Sequence, residues 1–305
     1  MKKVGISSTL ATFKHRIERL YLKKYRIQLS QQPLDGKIHF EFAQAAFKLG
    51  LNDLAFAELR NAEYLNFDLN KVKSLNNKIN RSLRDLTKLD VNQYQRFYIL
   101  QSHLNKILQK KESILDIGGG HGILAQYMSG NQYFLVEPSV NGISGLKLPF
   151  GDNCFDAVVT CHVLEHIAPD DRNLFIDELV RVASKNVLIF NPFKNSDLDE
   201  TERLQLILEV TKAPWAEEHL KYGLPKLEEI TDYLSTQGLL FTLKEYGDIY
   251  ASIATVFMSY FAEKIDGHKL LKINQHLNQN YDQMGHSKYP TNIMIVIATD
   301  NKKRH

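Results

Sequence analysis

Cysteine and tryptophan are nearly missing: the 305-residue chain holds two of the first and one of the second. Cys154 and Cys161 form no Cys-x-x-Cys pair, so neither a disulfide framework nor a zinc ribbon is supported. Long apolar runs are missing too. The best stretch, Ala251 to Phe261, is broken by Ser and Thr and falls short of the roughly 18 residues a spanning helix needs. The basic start, Met1-Lys2-Lys3, meets Lys14 and Arg16 before any apolar core, so no secretory signal is expected. These absences predict a cytoplasmic globular protein. A strong net charge is also lacking, at +3, but the balance is uneven. Residues 1–90 carry 17 Lys and Arg against 9 Asp and Glu, and the remainder 21 against 26. A basic end suits a protein partner or an anionic surface, although a solvated helix face is the simpler reading.

Residues 1–90 read as helices. Phe13, Ile17, Leu20, Tyr21 and Tyr25 recur at helical spacing among Lys and Arg. Two further segments, Phe40 to Gly50 and Leu54 to Ala62, carry Ala43, Ala46, Gly50, Ala55, Leu59 and Ala62, where small side chains let helices approach closely. Their pattern resembles one tetratricopeptide hairpin, though a solenoid needs three or more such repeats. A polar stretch near Lys88 to Asn92 marks the boundary with a second region, 91–305. There a helix from Tyr94 to Leu108 is followed by short apolar strands at Ser113–Ile117, Tyr133–Val136, Phe155–Thr160 and Val187–Phe190, alternating with helices at Ile123–Met128 and Arg172–Val182. Helical inserts are expected at 194–238 and 250–282, with strands at Leu240–Tyr246 and Asn292–Ala298. The alternation predicts an α/β fold with a mostly parallel sheet.

The sharpest local signal is Leu115-Asp116-Ile117-Gly118-Gly119-Gly120-His121-Gly122, at a strand-to-helix junction. Such a turn at the carboxyl end of the first strand is where open α/β sheets bind nucleotides. The spacing departs from the dinucleotide fingerprint, because the glycine comes at Gly122 where that fingerprint would put it at Ile123. Asp116 also precedes the glycines, where it would repel a pyrophosphate. A ligand with a cationic amino group and no phosphate fits better. Glu137 ends the next strand, placed to accept hydrogen bonds from a ribose.

A third block, Leu148-Pro149-Phe150-Gly151-Asp152-Asn153-Cys154-Phe155-Asp156-Ala157-Val158 with Val163-Leu164-Glu165-His166-Ile167, is similar to that of class I S-adenosylmethionine (SAM)-dependent methyltransferases of the small-molecule "type 11" kind. The resemblance implies a Rossmann-like, mostly parallel sheet with an antiparallel final strand behind an α-helical N-terminal region, and SAM as cofactor. It implies cofactor contacts from Asp116, Gly118, Gly119, Gly120, Gly122, Glu137 and Cys161. Ser144 stands where relatives often carry an acid holding the adenine, with Leu148 against the ring. Only ten residues, Ser139 to Leu148, join the end of the Glu137 strand to this block, so the usual third strand and its helix are expected to be shortened or lost.

His162-Val163-Leu164-Glu165-His166 also matches the inverted zinc-protease pattern, in which a helix presents both histidines on one face. Because it lies inside the methyltransferase block, no metal is expected. His162 and His219 are the candidate catalytic residues, since a hydroxyl acceptor needs a base that works near neutral pH. The predicted function is methyl transfer to a small-molecule or glycan hydroxyl. Two alternatives stay open: an RNA or protein acceptor docked on the basic helical end, and a non-catalytic interaction protein with a degenerate SAM pocket.

Overall fold

The computed structural model describes residues 21–194, 200–281 and 289–299. Helix α1 covers residues 21–31, and the part of its expected pattern at Phe13, Ile17 and Leu20 lies outside the described residues. Then follow α2 (Gly36–Lys48), α3 (Asn52–Tyr64), α4 (Leu69–Asn80) and α5 (Val91–Ile107). Asp35 caps α2 and Asp90 caps α5, each accepting from two backbone N–H groups of the first turn. The sheet region runs β1 (Ser113–Ile117), α6 (Leu124–Tyr127), β2 (Gln132–Val136), β3 (Phe155–Cys161), α7 (Arg172–Val182) and β4 (Ala183–Asn191). It continues with α8 (Glu200–Thr211), α9 (Pro214–Tyr222), α10 (Leu227–Thr236), β5 (Leu240–Tyr246), α11 (Ile249–Gln279) and β6 (Asn292–Ala298).

The strand order is β2-β1-β3-β4-β6-β5. β1 to β4 pair in parallel, and β6 inserts antiparallel to both β4 and β5. All five residues of β1 are buried, the polar Ser113 and Asp116 among them, because the strand is covered on both faces. One face packs Leu54, Leu59, Leu100 and Leu104 against Ile114, Tyr133, Val159 and Phe190. The other packs Phe175, Leu179, Ile230 and Leu234 against Leu115, Val158 and Ile189. The described helices before residue 90 therefore share one hydrophobic core with the sheet. Ala43, Ala46, Ala55 and Ala62 are fully buried where α2 meets α3.

Among the described residues no strand lies outside β2, in keeping with the short 139–148 link. A bare edge of this kind exposes unpaired backbone groups. Helix α3 supplies their partners. The Asn61 side chain accepts from the Leu135 N–H at 2.7 Å and donates to the Leu135 carbonyl at 3.1 Å. Asn141 donates to that same carbonyl at 2.8 Å and to Glu58 at 3.1 Å, while Glu58 pairs with His39 at 2.5 Å. A side-chain network thus stands in for the missing strand.

Candidate functional site

The turn after β1 begins with the Gly118 N–H donating to the Val136 carbonyl at 2.8 Å, which ties the ends of β1 and β2 together. At Gly119 a Cβ would come within 2.3 Å of an Asp116 carboxylate oxygen, so the backbone lies directly on that acid. Gly122 has φ +71°, and its Cβ would sit 2.2 Å from the Cβ of Ala57 in α3. The turn is clamped between an acid beneath and a helix above.

Asp116 is 1% exposed and accepts a 2.6 Å hydrogen bond from the Tyr133 hydroxyl. Burial pushes its carboxyl up to about 7, the Tyr133 bond opposing and the nearby Glu137 charge adding to the rise. Its carboxylate lies under the glycines rather than on the wall of the cleft. Glu137 reaches the turn from above the end of β2. It accepts from the Gly120 N–H at 3.1 Å with one oxygen, and from the Ser139 N–H and hydroxyl at 3.0 and 2.7 Å with the other.

Gly118, Gly119, Gly120, Cys161 and His162 line one cleft of about 880 Å³, which α5, α9 and the start of α11 also wall. Burial pushes the Cys161 thiol up to about 12, so it is uncharged at neutral pH. Ser144 and Leu148 lie elsewhere. Ser144 is exposed, its hydroxyl accepting from the Leu146 N–H at 3.2 Å. Leu148 is buried in the core beneath α7, its N–H bound to Glu178 at 2.8 Å.

His162 takes φ +56° directly after β3, and residues 164–166 form a single 3-10 turn. The α-helix that the zinc-protease pattern requires is therefore not formed. Glu165 is fully buried at the base of this turn. One of its oxygens accepts from the Asn191 amide at 2.8 Å. The other makes no aligned hydrogen bond and faces His162 Nδ1 at 3.3 Å and His219 Nε2 at 3.7 Å. His219 comes from α9, 8% exposed, with its ring 5.3 Å from that of Trp215 and 5.2 Å from that of His166. His166 Nδ1 lies 2.5 Å from a Glu218 oxygen. The structure thus brings His162 and His219 together around one carboxylate. Among the described residues, Glu165, His166 and His219 are a group whose donor atoms all fall within 4.8 Å of one another, close enough to share a metal ion.

Burial alone would raise the Glu165 carboxyl, but the facing His162 and the nearby His166 imidazoles outweigh it and hold it near about 2. Burial lowers both His162 and His219, the latter to about 4, so both imidazoles are neutral at physiological pH.

Two residues of this site escape the sequence reading. Asn191, at the end of β4, accepts from the Val163 and Leu164 N–H groups at 3.1 and 3.2 Å while holding Glu165. In the sequence it is only the residue before a strand-closing proline. Arg96 lines the cleft from α5, and its charge lowers His162 and, more weakly, His219. It belongs to an ordinary amphipathic pattern, so no local signal marked it.

Residues 92–241 match a family model described as "Methyltransferase domain". No curated protein matches. Among solved structures, the chain is similar to a Galdieria sulphuraria protein assigned as a sarcosine dimethylglycine methyltransferase, with 15% identity and a TM-score of 0.45 over 68% of this chain and 86% of that one. It is also similar to a Haemonchus contortus phosphoethanolamine N-methyltransferase, solved with phosphomonomethylethanolamine and S-adenosylhomocysteine. That identity is 15% and the TM-score 0.43, over 66% of this chain and 52% of that one. An Archaeoglobus fulgidus SAM-dependent methyltransferase matches at 11% identity and a TM-score of 0.39, over 66% of this chain and 94% of that one. The match to a methyltransferase domain thus covers residues 92–241, just under half of the chain, and falls on a mostly parallel, Rossmann-like sheet with an antiparallel β6.

Proposed function

We propose that the cleft binds SAM with its methionine end against Gly118 to Gly120 and its ribose on Glu137, and passes the methyl group to a hydroxyl of a small molecule or glycan beside His162 and His219. The observation that carries this reading is that Gly118, Gly119 and Gly120 line the same cleft as His162, with Glu137 just outside its lining and bound to the Gly120 N–H at 3.1 Å. A carboxylate that holds the turn from above the second strand is placed to accept from ribose hydroxyls, each such bond worth about 1.5–3 kcal/mol. Arg96 supplies the cation that the methionine carboxylate needs. The methionine ammonium, resting on the glycines, would draw the Asp116 carboxyl beneath them into its charged form and be held by it. The adenine contact expected from Ser144 and Leu148 is not carried into this reading, because neither lines the cleft.

The transfer is an in-line displacement. The acceptor oxygen forms the new O–CH3 bond as the sulfonium C–S bond breaks, and S-adenosylhomocysteine leaves uncharged at sulfur. The hydroxyl proton passes to His162, whose imidazole burial keeps neutral and able to accept it. Alignment in a closed cleft supplies up to about 7–11 kcal/mol of the barrier reduction. The cleft's 880 Å³ lies within the roughly 300–1,000 Å³ of small-molecule sites.

Calorimetric titration with SAM and S-adenosylhomocysteine tests the cofactor half. Micromolar binding is expected, weakened at least tenfold (about 1.4 kcal/mol) by Glu137→Ala and by Arg96→Gln. A wild-type protein that binds neither compound refutes the proposal. A screen of hydroxyl acceptors with methyl-labelled SAM tests the other half, with His162→Gln expected to lower kcat and leave SAM affinity in place.

A further inference from the structure

The charges that line the cleft do not balance. Arg96, Lys106, Arg203 and Lys244 face it against two acids, Glu165 and Asp248. Both acids are engaged: Glu165 by an amide and imidazoles, and Asp248 by capping α11, where it accepts from the Ala251 N–H at 2.7 Å. Lys106 and Lys244 pair with no acid among the described residues.

These two cations converge. Lys106 lies three residues past His103 on α5, and Lys244 two residues before Tyr246 on β5, so each pair shares a face of its element. The Tyr246 hydroxyl and His103 Nε2, 2.6 Å apart, join the two elements. Burial lowers the His103 imidazole, and the Lys106 and Lys244 charges lower it further, which places both ammonium groups around one neutral ring. Lys244 also lies 5.1 Å from the centre of the Tyr246 ring. An edge-strand lysine alone serves to keep sheets from pairing. That role does not ask for a second lysine, from another element, beside the same imidazole and phenol. We infer that Lys106 and Lys244, beside the Tyr246 hydroxyl, bind an oxyanion of the acceptor, a phosphate monoester or a carboxylate, at the end of the cleft away from His162.

Rings link that end to the site of transfer. His162 packs edge-on to Phe190 with centroids 6.2 Å apart, Phe190 to Tyr246 at 5.8 Å, and Tyr246 to His103 at 5.8 Å. His162, Phe190, Tyr246 and both lysines all line the cleft. Three ring contacts separate the base from the cations, so the ligand must be elongated. Its hydroxyl would meet His162, a flat apolar middle would lie along Phe190 and Tyr246, and the oxyanion would reach the lysines. Lysine suits this as a point charge that sets no orientation, unlike the planar fork of arginine. Calling the ligand the acceptor rests on the proposed methyl transfer, whereas the anion site stands on the lysines and rings alone.

The test is calorimetric titration of the full chain, without SAM, with 2-naphthyl phosphate, 2-naphthoate and the uncharged 2-naphthol. Both lysines are exposed, so each contributes modestly and salt screens it. At least one anion is expected to bind about tenfold more tightly than 2-naphthol at low salt, a preference that shrinks as NaCl is raised. Lys106→Gln and Lys244→Gln should each cut the preference about threefold, and the double variant should abolish it. Lys78→Gln, an exposed lysine on α4, should leave it intact. If neither anion binds more tightly than 2-naphthol, or if the preference survives the double variant, no oxyanion site exists here. SAM titration of the same samples keeps the two proposals apart, since the double variant should leave SAM affinity unchanged. An anion preference without SAM binding sinks only the cofactor reading, and SAM binding without an anion preference sinks only the oxyanion site.

Discussion

Two acids sit under the two ends of the same cleft, and burial treats them alike while their neighbours do not. Asp116 is 1% exposed and Glu165 fully buried, and in both cases burial is the largest influence and favours the protonated form. Asp116 meets one hydroxyl, from Tyr133, and a like charge from Glu137, so its carboxyl rises to about 7. Glu165 meets an amide and imidazoles, and ends near about 2. Desolvation sets the penalty, but the partners decide which form survives. One end of the cleft thus holds an acid poised to change charge near neutrality. The other holds a permanent anion.

The largest effect should come from removing the second acid. Glu165→Leu leaves the Asn191 amide and two imidazoles facing apolar atoms, and losing one member of a buried polar cluster costs about 3–5 kcal/mol. Urea denaturation at pH 7.5 reads this directly. A loss below about 1 kcal/mol would mean that the Glu165 partners bring no net stability. The sign with pH follows from the depressed carboxyl. Its contribution is complete above the unfolded value of 4.5 and disappears as pH falls toward about 2.

Asp116 should behave in the opposite way. Its folded pKa lies above the unfolded value of 3.8, so stability is fullest below that value and is lost as pH rises toward about 7. Asp116→Asn removes the charge and keeps an oxygen for the Tyr133 hydroxyl. The variant is expected to gain roughly 2–4 kcal/mol over wild type at pH 8, and almost nothing at pH 4. Parallel melts at the two values check it. An equal gain at both would show that Asp116 is not the titrating group. The same substitution should weaken SAM binding, so stability and affinity would move in opposite directions.

Gly122→Ala tests what keeps Asp116 dry. A Cβ there meets Ala57 at 2.2 Å from a backbone with φ +71°, so α3 must retreat from the turn. About 2–3 kcal/mol of stability should be lost. Water reaching the acid would lower its pKa, flattening the wild-type decline in stability between pH 4 and 7. A full loss of stability with that decline intact would show that α3 does not seal the acid.

The sheet was legible because its strands, apart from the largely exposed β5, are mostly buried and read as short apolar runs between turns. The strands expected at 113–117, 240–246 and 292–298 are found with those bounds, and the lost third strand follows from the ten-residue link before Leu148. The glycine turn was legible from spacing, and so was the position of Glu137 beside it. What could not be read is how distant segments meet. His219 and Glu165 lie 54 residues apart and touch only because α9 folds back over the turn after β3. Asp116 carries no local mark that its side chain turns under the glycines instead of into the cleft. Asn61 reads as one more polar residue of a helix and is in fact buried against β2.

Asn61 is the uncharged counterpart of the two acids: fully buried, polar, and matched on both its oxygen and its nitrogen by one backbone unit. With no charge to desolvate, it should show what complete pairing alone contributes. Asn61→Ala leaves the Leu135 N–H without its partner, while the carbonyl keeps the Asn141 bond. The expected cost is about 1–2 kcal/mol, smaller than for either acid. Hydrogen exchange gives the local reading: the Leu135 amide should lose more protection than the β1 and β3 amides, which quicken only by the factor set by the loss of global stability. If exchange quickened evenly across the sheet, Asn61 would be acting through the α3 packing as a whole. The β2 edge would then be protected by simple coverage, not by a side chain that replaces a strand.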